Sequence, residues 1–164
     1  MPASPLSAGI DAPSYRDACS HFATGVGVAT VKAGNGTPHG LTISSFTPVS
    51  ISPPLILICI SYDCTVAPHF ISAHHFAVNV LTDLQRELSV AFAMKPEGRF
   101  ENIAWHSGLT GAPLLDGSLA TIECQVDRCI NAGDHAVLFG LVVAAETGPG
   151  EPLLYYKRAY RTLG

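Results

Sequence analysis

The chain has 164 residues, of which 48% are hydrophobic and 13% are charged, and its formal net charge is −4. This length fits one compact domain and leaves no room for a separate catalytic domain of ordinary size. The scattered basic residues exclude the concentrated basic face that binds nucleic acid. A membrane-spanning helix needs roughly 20 consecutive apolar residues. The best apolar runs, residues 55–60 and 136–145, are shorter, so no membrane partner is expected.

The low share of charged residues indicates that another chain covers part of the surface, most simply a second copy, so we expect a homodimer. Residues 1–13 are rich in Pro, Ala and Ser and lack the segments of a secretory signal, which predicts a flexible arm before one domain at 14–164. Five cysteines without a CxxC spacing favour free thiols in a reducing cytoplasm. The expected location is therefore cytoplasmic.

The first predicted element is a helix, because Ser14 followed by Asp17 has the spacing of a helix cap and the apolar pattern continues to about Gly25. A second helix is predicted over residues 82–93, which begin with a capping box, and a shorter helical turn over 66–72. Segments rich in β-formers and bounded by Gly, Pro, Asn or Asp predict strands. The predicted strands are residues 26–31, 40–45, 55–61, 76–81, 119–126, 136–145 and 153–157.

Residues 94–115 contain several glycines and prolines and little periodicity, which predicts a long ordered excursion over the surface. The strands do not alternate with helices at the spacing of βαβ units, so an open parallel sheet is not expected. The elements together predict a mainly β fold with some α-helix. The expected architecture is a closed Greek-key β-barrel with short helices at its ends.

The motifs GxGxxG after a strand, GxxxxGK[ST], GxSxG and HExxH are missing from the sequence. Rossmann dinucleotide binding, P-loop phosphate binding, serine hydrolysis and zinc proteolysis therefore have no sequence support. Two Cys-x4-Cys pairs raise the possibility of a metal site, but residues five apart face opposite sides of a strand, so buried thiols are preferred. Three nearby histidines also lack ligand spacing, and no metal is expected. These residues are Cys59 with Cys64, Cys124 with Cys129, and His69, His74 and His75.

Hydroxyl side chains are interleaved with apolar residues between His39 and Leu55. With loop N–H groups and a nearby Arg, such hydroxyls supply hydrogen-bond donors for phosphate oxygens. The alternative is that they only satisfy backbone groups at strand ends. The hydroxyl residues are Thr42, Ser44, Ser45 and Thr47.

A series of short motifs follows along the chain: residues 22–26 (FATGV), 39–46 (HGLTISSF), 49–55 (VSISPPL), 76–81 (FAVNVL), 85–89 (QRELS), 99–100 (RF), 111–115 (GAPLL), 133–135 (GDH) and 153–156 (LLYY). In order and spacing, from about Tyr15 onward, they resemble the flavin reductase-like family, the short-chain reductases of two-component flavin monooxygenases. The resemblance implies a split β-barrel that binds FMN or FAD and dimerises, with flavin near the subunit interface.

The resemblance also implies a set of flavin-binding residues, in which Arg99 supplies charge for the flavin phosphate. Asn79 lies in an otherwise apolar strand, where an unpaired amide is costly. It is therefore expected to face either a polar edge of the ligand or a cross-strand hydrogen-bond partner. The implied flavin-binding residues are Gly40, Thr42, Ser44, Ser45, Phe46, Cys59, Ile60, Ser61, Thr65, Asn79, Leu81, Gln85, Ser89, Arg99 and Phe100.

His135 matches the position that the family places near the nicotinamide, and Tyr155, Tyr156 and Arg158 match the nicotinamide-side segment. The resemblance implies an NAD(P)H:flavin oxidoreductase that uses NADH or NADPH and FMN or FAD and supplies reduced flavin to a partner monooxygenase. Because both reacting atoms belong to cofactors, the protein's task is positioning, with His135 as an assisting residue. Two alternatives remain: a protein that holds flavin tightly and reduces another acceptor, and a non-catalytic flavin-binding module.

Overall fold

The structure is a computed structural model that describes residues 9–94 and 98–164. Within these residues the helices are α1 (Ala12–Ser20), α2 (Ala67–Ile71) and α3 (Arg86–Met94), and a 3-10 turn at Asp83–Gln85 precedes α3. The strands are β1 (Thr24–Gly25), β2 (Gly27–Lys32), β3 (Pro38–Ile43), β4 (Thr47–Ile51), β5 (Pro54–Ser61), β6 (His75–Val80), β7 (Trp105–Ser107), β8 (Pro113–Leu115), β9 (Ala120–Ala132), β10 (His135–Thr147), β11 (Leu154–Tyr156) and β12 (Ala159–Arg161). The fold is mainly β with few helices, as predicted.

Seven strands form one antiparallel sheet in the order β3-β2-β6-β9-β10-β5-β4. Strands β1, β11 and β12 form a second, three-stranded sheet, and β7 pairs with β8. The described part of the chain contains no helix that is long and apolar enough to cross a membrane.

The link between β3 and β4 forces the large sheet to curl. These two strands lie at its opposite ends, and neighbouring strands are ~4.8 Å apart, so a flat sheet would separate them by about 29 Å. Only residues 44–46 join them, and the four residue steps from Ile43 to Thr47 span at most about 14 Å. The two outer strands are therefore brought round toward each other.

The interior of the curled sheet holds the main apolar core. Alternate residues of its strands point inward, including Ile43 on β3, Ile58 on β5 and Leu138 on β10. Phe70 of α2 and Phe76 of β6 complete this cluster, and both are fully buried. A second cluster around Phe92 of α3 lies outside it.

Several elements differ from the sequence prediction. Helix α1 begins at Ala12, inside the predicted arm, because the Asp11 carboxylate caps it by accepting the backbone N–H of Ser14 at 2.9 Å. It ends at Ser20 rather than near Gly25. The remainder of the arm, residues 1–8, lies outside the described residues.

The strands that the sequence failed to predict are short or irregular. Strand β4 has an exposed, proline-containing sequence that fits an edge strand. The predicted excursion over residues 94–115 contains the hairpin of β7 and β8, whose register pairs Trp105 with Leu115. Strands β9 and β10 are 13 residues each and run beyond their predicted bounds.

A buried carboxylate fastens the loop between β7 and β8 to the sheet. Glu123 on β9 is 5% exposed and accepts hydrogen bonds from the backbone N–H groups of Leu109 (3.0 Å) and Thr110 (2.7 Å) and from the Thr110 hydroxyl (2.7 Å). Burial raises the pKa of Glu123, but these hydrogen bonds and His106 outweigh it, so the pKa lies below its ordinary value of 4.5. The ionised form therefore holds this loop.

We expect the substitution Glu123→Gln to lower the free energy of unfolding at neutral pH by about 2 kcal/mol, because an amide group cannot accept all three bonds. Since the folded pKa is lowered, the wild-type advantage is present above the unfolded pKa and is lost as the pH falls through the folded value. Urea unfolding from pH 7 to pH 3 measures this. The exposed Glu146→Gln variant is the matched control, and a pH-independent difference would contradict the prediction.

Candidate functional site

The outer face of the curled sheet carries polar residues between the apolar ones that point inward. On β3 the outward residues are Gly40 and Thr42, and Ser44 follows the strand; on β5 they are Cys59 and Ser61. Because the strands alternate, these side chains lie on the surface that the core does not use. The sequence therefore places polar residues on the outer face of the strands next to the β3–β4 link, beside apolar ones such as Leu57.

Ser45 joins the two outer ends of the sheet. Its hydroxyl accepts the backbone N–H of Cys59 at 2.9 Å and donates to the carbonyl of the same residue at 3.2 Å. We call this contact the seam. The residues predicted at the end of β3 and those predicted at the end of β5 are thus held side by side. Partial burial of Cys59 raises the pKa of its thiol.

A cavity of about 490 Å³ opens along the outer side of β3. Its wall includes Gly40, Arg99 and Phe100 from the predicted set, together with His39 and Trp105. Arg99 donates to the carbonyl of Gly40 at 2.5 Å, which places its guanidinium group at the cavity wall. A cationic group beside aromatic rings suits a ligand that carries both a phosphate and a flat ring system.

Gly40 allows the close packing at this wall. A Cβ atom there would lie 2.7 Å from the ring of Phe92 on α3. Phe92 in turn contacts Phe100 edge-on, at a centroid distance of 5.1 Å. The glycine therefore lets α3 approach β3 and sets the position of the aromatic wall.

A second cavity, of about 180 Å³, brings together two predicted groups that are far apart in sequence. Thr42 and Ser44, from the predicted flavin segment, line it together with Tyr155, from the predicted nicotinamide segment. The Thr42 hydroxyl donates to the carbonyl of Ser89 at 2.6 Å, and the Ser89 hydroxyl bonds the Tyr160 hydroxyl at 2.8 Å. This chain of contacts fixes α3 and β12 around the cavity.

The geometry of the C-terminal hairpin separates the two adjacent tyrosines. Tyr155 lines the cavity, whereas Tyr156 lies against His21 with a ring-centroid distance of 6.3 Å. Arg158 lies in the two-residue turn between β11 and β12, where both turn residues have positive φ, and it is exposed. Tyr155 is therefore the tyrosine that faces the predicted flavin segment.

His135 begins β10 and lies directly opposite Ser61 of β5. Its Nδ1 atom is 2.6 Å from a carboxylate oxygen of Asp134. The hydrogen bond and the charge of His135 lower the pKa of the Asp134 carboxyl below its ordinary value. Because a carboxylate only accepts, it fixes the proton on Nδ1 and leaves Nε2 for another partner.

Four of the predicted flavin-binding residues have fully buried side chains, one of which is Ser89 of α3. The alternation of β5 turns Ile60 into the main core, whereas Leu81 follows β6 and belongs to the cluster around Phe92. Asn79 is also fully buried, and its amide donates to Val28 and Thr30 and accepts the backbone N–H of Leu115 at 2.8 Å. The structure therefore supports the structural alternative for Asn79.

The other predicted residues have identified surroundings. The Gln85 side chain closes the capping box with Thr82 and donates to the carbonyl of Asp116 at 3.0 Å, so its amide serves the helix start. Phe46 is half-buried and packs against the main core. Thr65 is exposed on the loop after β5.

His39 and Tyr160 are site residues that the sequence reasoning did not select. The ring of His39 stacks on His69 at 3.7 Å, and burial, with His69 and Arg99 nearby, lowers its pKa. His39 falls inside the motif at residues 39–46, which was a usable signal. No local pattern marks Tyr160, because only the β11–β12 pairing brings it to the second cavity.

The cysteines do not gather into a metal site. All five are free; Cys124 is buried, whereas Cys129 is exposed because it lies in the exposed end of β9, beyond a register shift of that strand. Burial raises the pKa of the Cys124 thiol to about 12. Over residues 9–94 and 98–164, no three His, Cys, Asp or Glu side chains lie close enough to hold a metal ion.

Comparison with known proteins assigns the chain to a family. The profile of the flavin reductase like domain matches residues 19–164. The chain belongs to this flavin reductase-like family. A probable flavin reductase of Rhizobium meliloti is 39% identical over 152 residues, which are 93% of this chain and 49% of that protein.

Two further flavin reductase-like proteins are similar over nearly the whole chain. The reductase component of the flavin-dependent trigonelline monooxygenase of Acinetobacter baylyi is 38% identical, over 90% of this chain and 47% of that protein. The chain thus spans about half the length of the first two relatives. A Streptomyces globisporus NADH:FAD oxidoreductase, solved in complex with NAD and FAD fragments, is 34% identical with a TM-score of 0.87, covering 96% of this chain and 98% of that chain.

The contacts of Asn79 predict a structural effect. We expect Asn79→Ala to lower the free energy of unfolding by about 3 kcal/mol, because it leaves buried backbone groups without partners. The flavin dissociation constant of the folded variant should stay within about twofold of the wild-type value, since the amide does not line either cavity. Chemical denaturation and flavin titration measure the two quantities. The exposed Asn131→Ala variant is the control, and a stable variant with weakened flavin binding would restore the ligand role.

Proposed function

We propose that this chain is an NAD(P)H:flavin oxidoreductase that transfers hydride from NADH or NADPH to FMN or FAD and supplies reduced flavin to a partner monooxygenase. One observation carries the proposal: the outer face at the seam brings the predicted flavin segment, Thr42 and Ser44, together with Tyr155 of the predicted nicotinamide segment. Similar proteins are named as flavin reductases and as reductase components of monooxygenases, which supports this assignment.

The side chains at the site fit a flavin nucleotide. Arg99 supplies a positive charge, Ser44 after β3 supplies a hydroxyl donor beside the Thr42 oxygen, and Phe100 and Trp105 supply apolar ring faces. The cavity of about 490 Å³ lies within the range of roughly 300–1,000 Å³ that small-molecule sites occupy. These are the donors, charge and flat surfaces that a phosphate-bearing isoalloxazine requires.

The protein's part in the reaction is positioning. A flavin held at this site would supply N5 as the acceptor for hydride from the nicotinamide C4 of the donor, so no side chain needs to act as a strong acid or base. Arg99 neutralises the flavin phosphate, and the aromatic wall keeps water from one side of the cavity. Asp134 holds the ring of His135 in one tautomer, and His135 orients the nicotinamide beside the seam.

The closed barrel and the homodimer are part of the same proposal. The curl imposed by the β3–β4 link supports a closed split barrel of the Greek-key type. The exposed apolar side chains of Phe22 (78%) and Ile51 (94%) support a homodimer in which a second copy covers part of the outer surface.

The decisive experiment is NADH and NADPH oxidation, followed by the loss of nicotinamide absorbance, without flavin and with FMN, FAD or riboflavin. We expect a colourless protein whose turnover depends on added flavin, because both cavities are open to solvent and a flavin held there can exchange. A yellow protein that is reduced once and then stops would instead indicate a prosthetic flavin. Absence of oxidation with every flavin would contradict the reductase function.

His135 and Asp134 give a graded test of the nicotinamide side. We expect His135→Ala to raise the KM for NADH or NADPH by about tenfold while flavin binding is kept, because one oriented contact is lost. Asp134→Asn should raise the KM by less, since the imidazole ring remains and only the carboxylate that fixes the proton on Nδ1 is lost. Steady-state kinetics and flavin titration measure both. Wild-type kinetics across all NAD(P)H concentrations in His135→Ala would refute the assignment.

A further inference from the structure

A third cavity, of about 390 Å³, lies between the β2–β3 turn, the end of α2 and the start of β6. None of the residues that line it is acidic. Its polar lining residues are Lys32, His69, Ser72, His74, His75 and Thr110. A cavity with an ammonium group, three imidazoles and no carboxylate has the electrostatic character of an anion site.

The basic side chains here have spare hydrogen-bonding capacity. The Ser72 hydroxyl already donates to the carbonyl of Pro68, and the Thr110 hydroxyl to Glu123. In contrast, across residues 9–94 and 98–164 the side chains of Lys32, His74 and His75 make no hydrogen bond or ion pair. These donors remain available to a ligand.

Two other occupants are disfavoured by the surroundings. The histidines do not converge on one point, since no three possible ligands in the described part of the chain could share a metal ion. Glu123, which bonds the lining residue Thr110, does not itself line the cavity and directs its carboxylate oxygens to the loop of Leu109 and Thr110. The site therefore suits a negatively charged group rather than a cation.

This cavity adjoins the flavin-side cavity through one pair of rings. His39 lines the cavity that also contains Arg99, and His69 lines the third cavity, which we call the basic cavity. The rings of the two histidines stack with a centroid distance of 3.7 Å. An FMN molecule ends at its single phosphate, whereas the chain of FAD continues through a second phosphate to adenosine. A flavin phosphate held by Arg99 would direct this continuation past the His39–His69 stack.

We propose that the basic cavity binds a phosphate group, and that its occupant is the adenosine-side phosphate of a dinucleotide such as FAD. The assignment of the occupant rests on the proposed flavin-reductase function, whereas the anion site itself does not. Lys32 and His75 are the residues that donate to the phosphate oxygens. The same chemistry would also accept free phosphate, and the experiment separates these two sources.

The test compares FMN and FAD binding by flavin fluorescence in the wild-type protein and in the double variant K32Q/H75Q. We expect FAD to bind the variant about tenfold more weakly and FMN to change by less than about twofold, because only FAD carries the second phosphate. Inorganic phosphate should compete with FAD in the wild type. The substitution His106→Gln, which removes an imidazole bonded to Asp116 elsewhere on the surface, is the matched control.

Calorimetric titration with inorganic phosphate keeps the anion site testable without any flavin. Phosphate binding that is lost in K32Q/H75Q, with an unchanged ratio of FAD to FMN affinity, would assign the site to free phosphate and overturn the dinucleotide occupant. Equal loss of FMN and FAD binding would also overturn it. No phosphate binding to the wild type together with an unchanged affinity ratio would overturn the site altogether. Failure of both flavins to bind, with phosphate still bound, would refute only the proposed function.

Discussion

The constraint on which the rest of the molecule depends is the short connection between β3 and β4. Two strands that lie at opposite ends of a seven-stranded order are joined through residues 44–46, so the sheet has to curl until these strands lie within about 14 Å of each other at the link. Ser45, in the middle of that connection, then bonds both backbone groups of Cys59. Every second residue of these strands is turned into the main core, and the residues between them, polar and apolar, lie on the outer face. The candidate site is a consequence of this curl.

A second level of organisation comes from buried polar groups that bind the accessory elements to the sheet. The Thr30 hydroxyl donates to the carbonyl of Pro113, and the amide of Asn79 accepts the N–H of Leu115, so β8 is fixed to the outside of β2 and β6. Glu123 fixes the adjoining loop. In the described part of the chain no buried side-chain nitrogen or oxygen lacks a partner. An unpaired buried polar group is costly, so these contacts together hold β8 and the β7–β8 loop in one arrangement on the sheet.

The sequence allowed the mainly β class and the helical segment near residues 82–93 to be predicted, because each depends on local pattern, whereas the flavin segment is a prediction from the family resemblance. Thr82 and Gln85 do form their capping box, and the two cavities do collect Gly40, Thr42, Ser44, Arg99, Phe100 and Tyr155. The direction of individual side chains was not predicted. Ile60 lies one position from Cys59 and Ser61, and only the alternation of β5 about the core makes it inward while they face outward.

The same limit applies wherever a residue's role depends on a distant partner. A buried asparagine in an apolar strand signals polar partners but not their identity. For Asn79 these partners are Val28 and Thr30 on β2 and the backbone of β8, which belongs to the stretch without periodicity. His39 became visible as a site residue only when the fold placed His69 against its ring. Motifs that are contiguous in sequence therefore supply Gly40, Arg99 and Phe100 of the cavity wall, whereas pairs made by tertiary structure determine where that wall ends. The His39–His69 stack is such a pair, and it defines the boundary between the cavity beside Arg99 and the basic cavity beyond it.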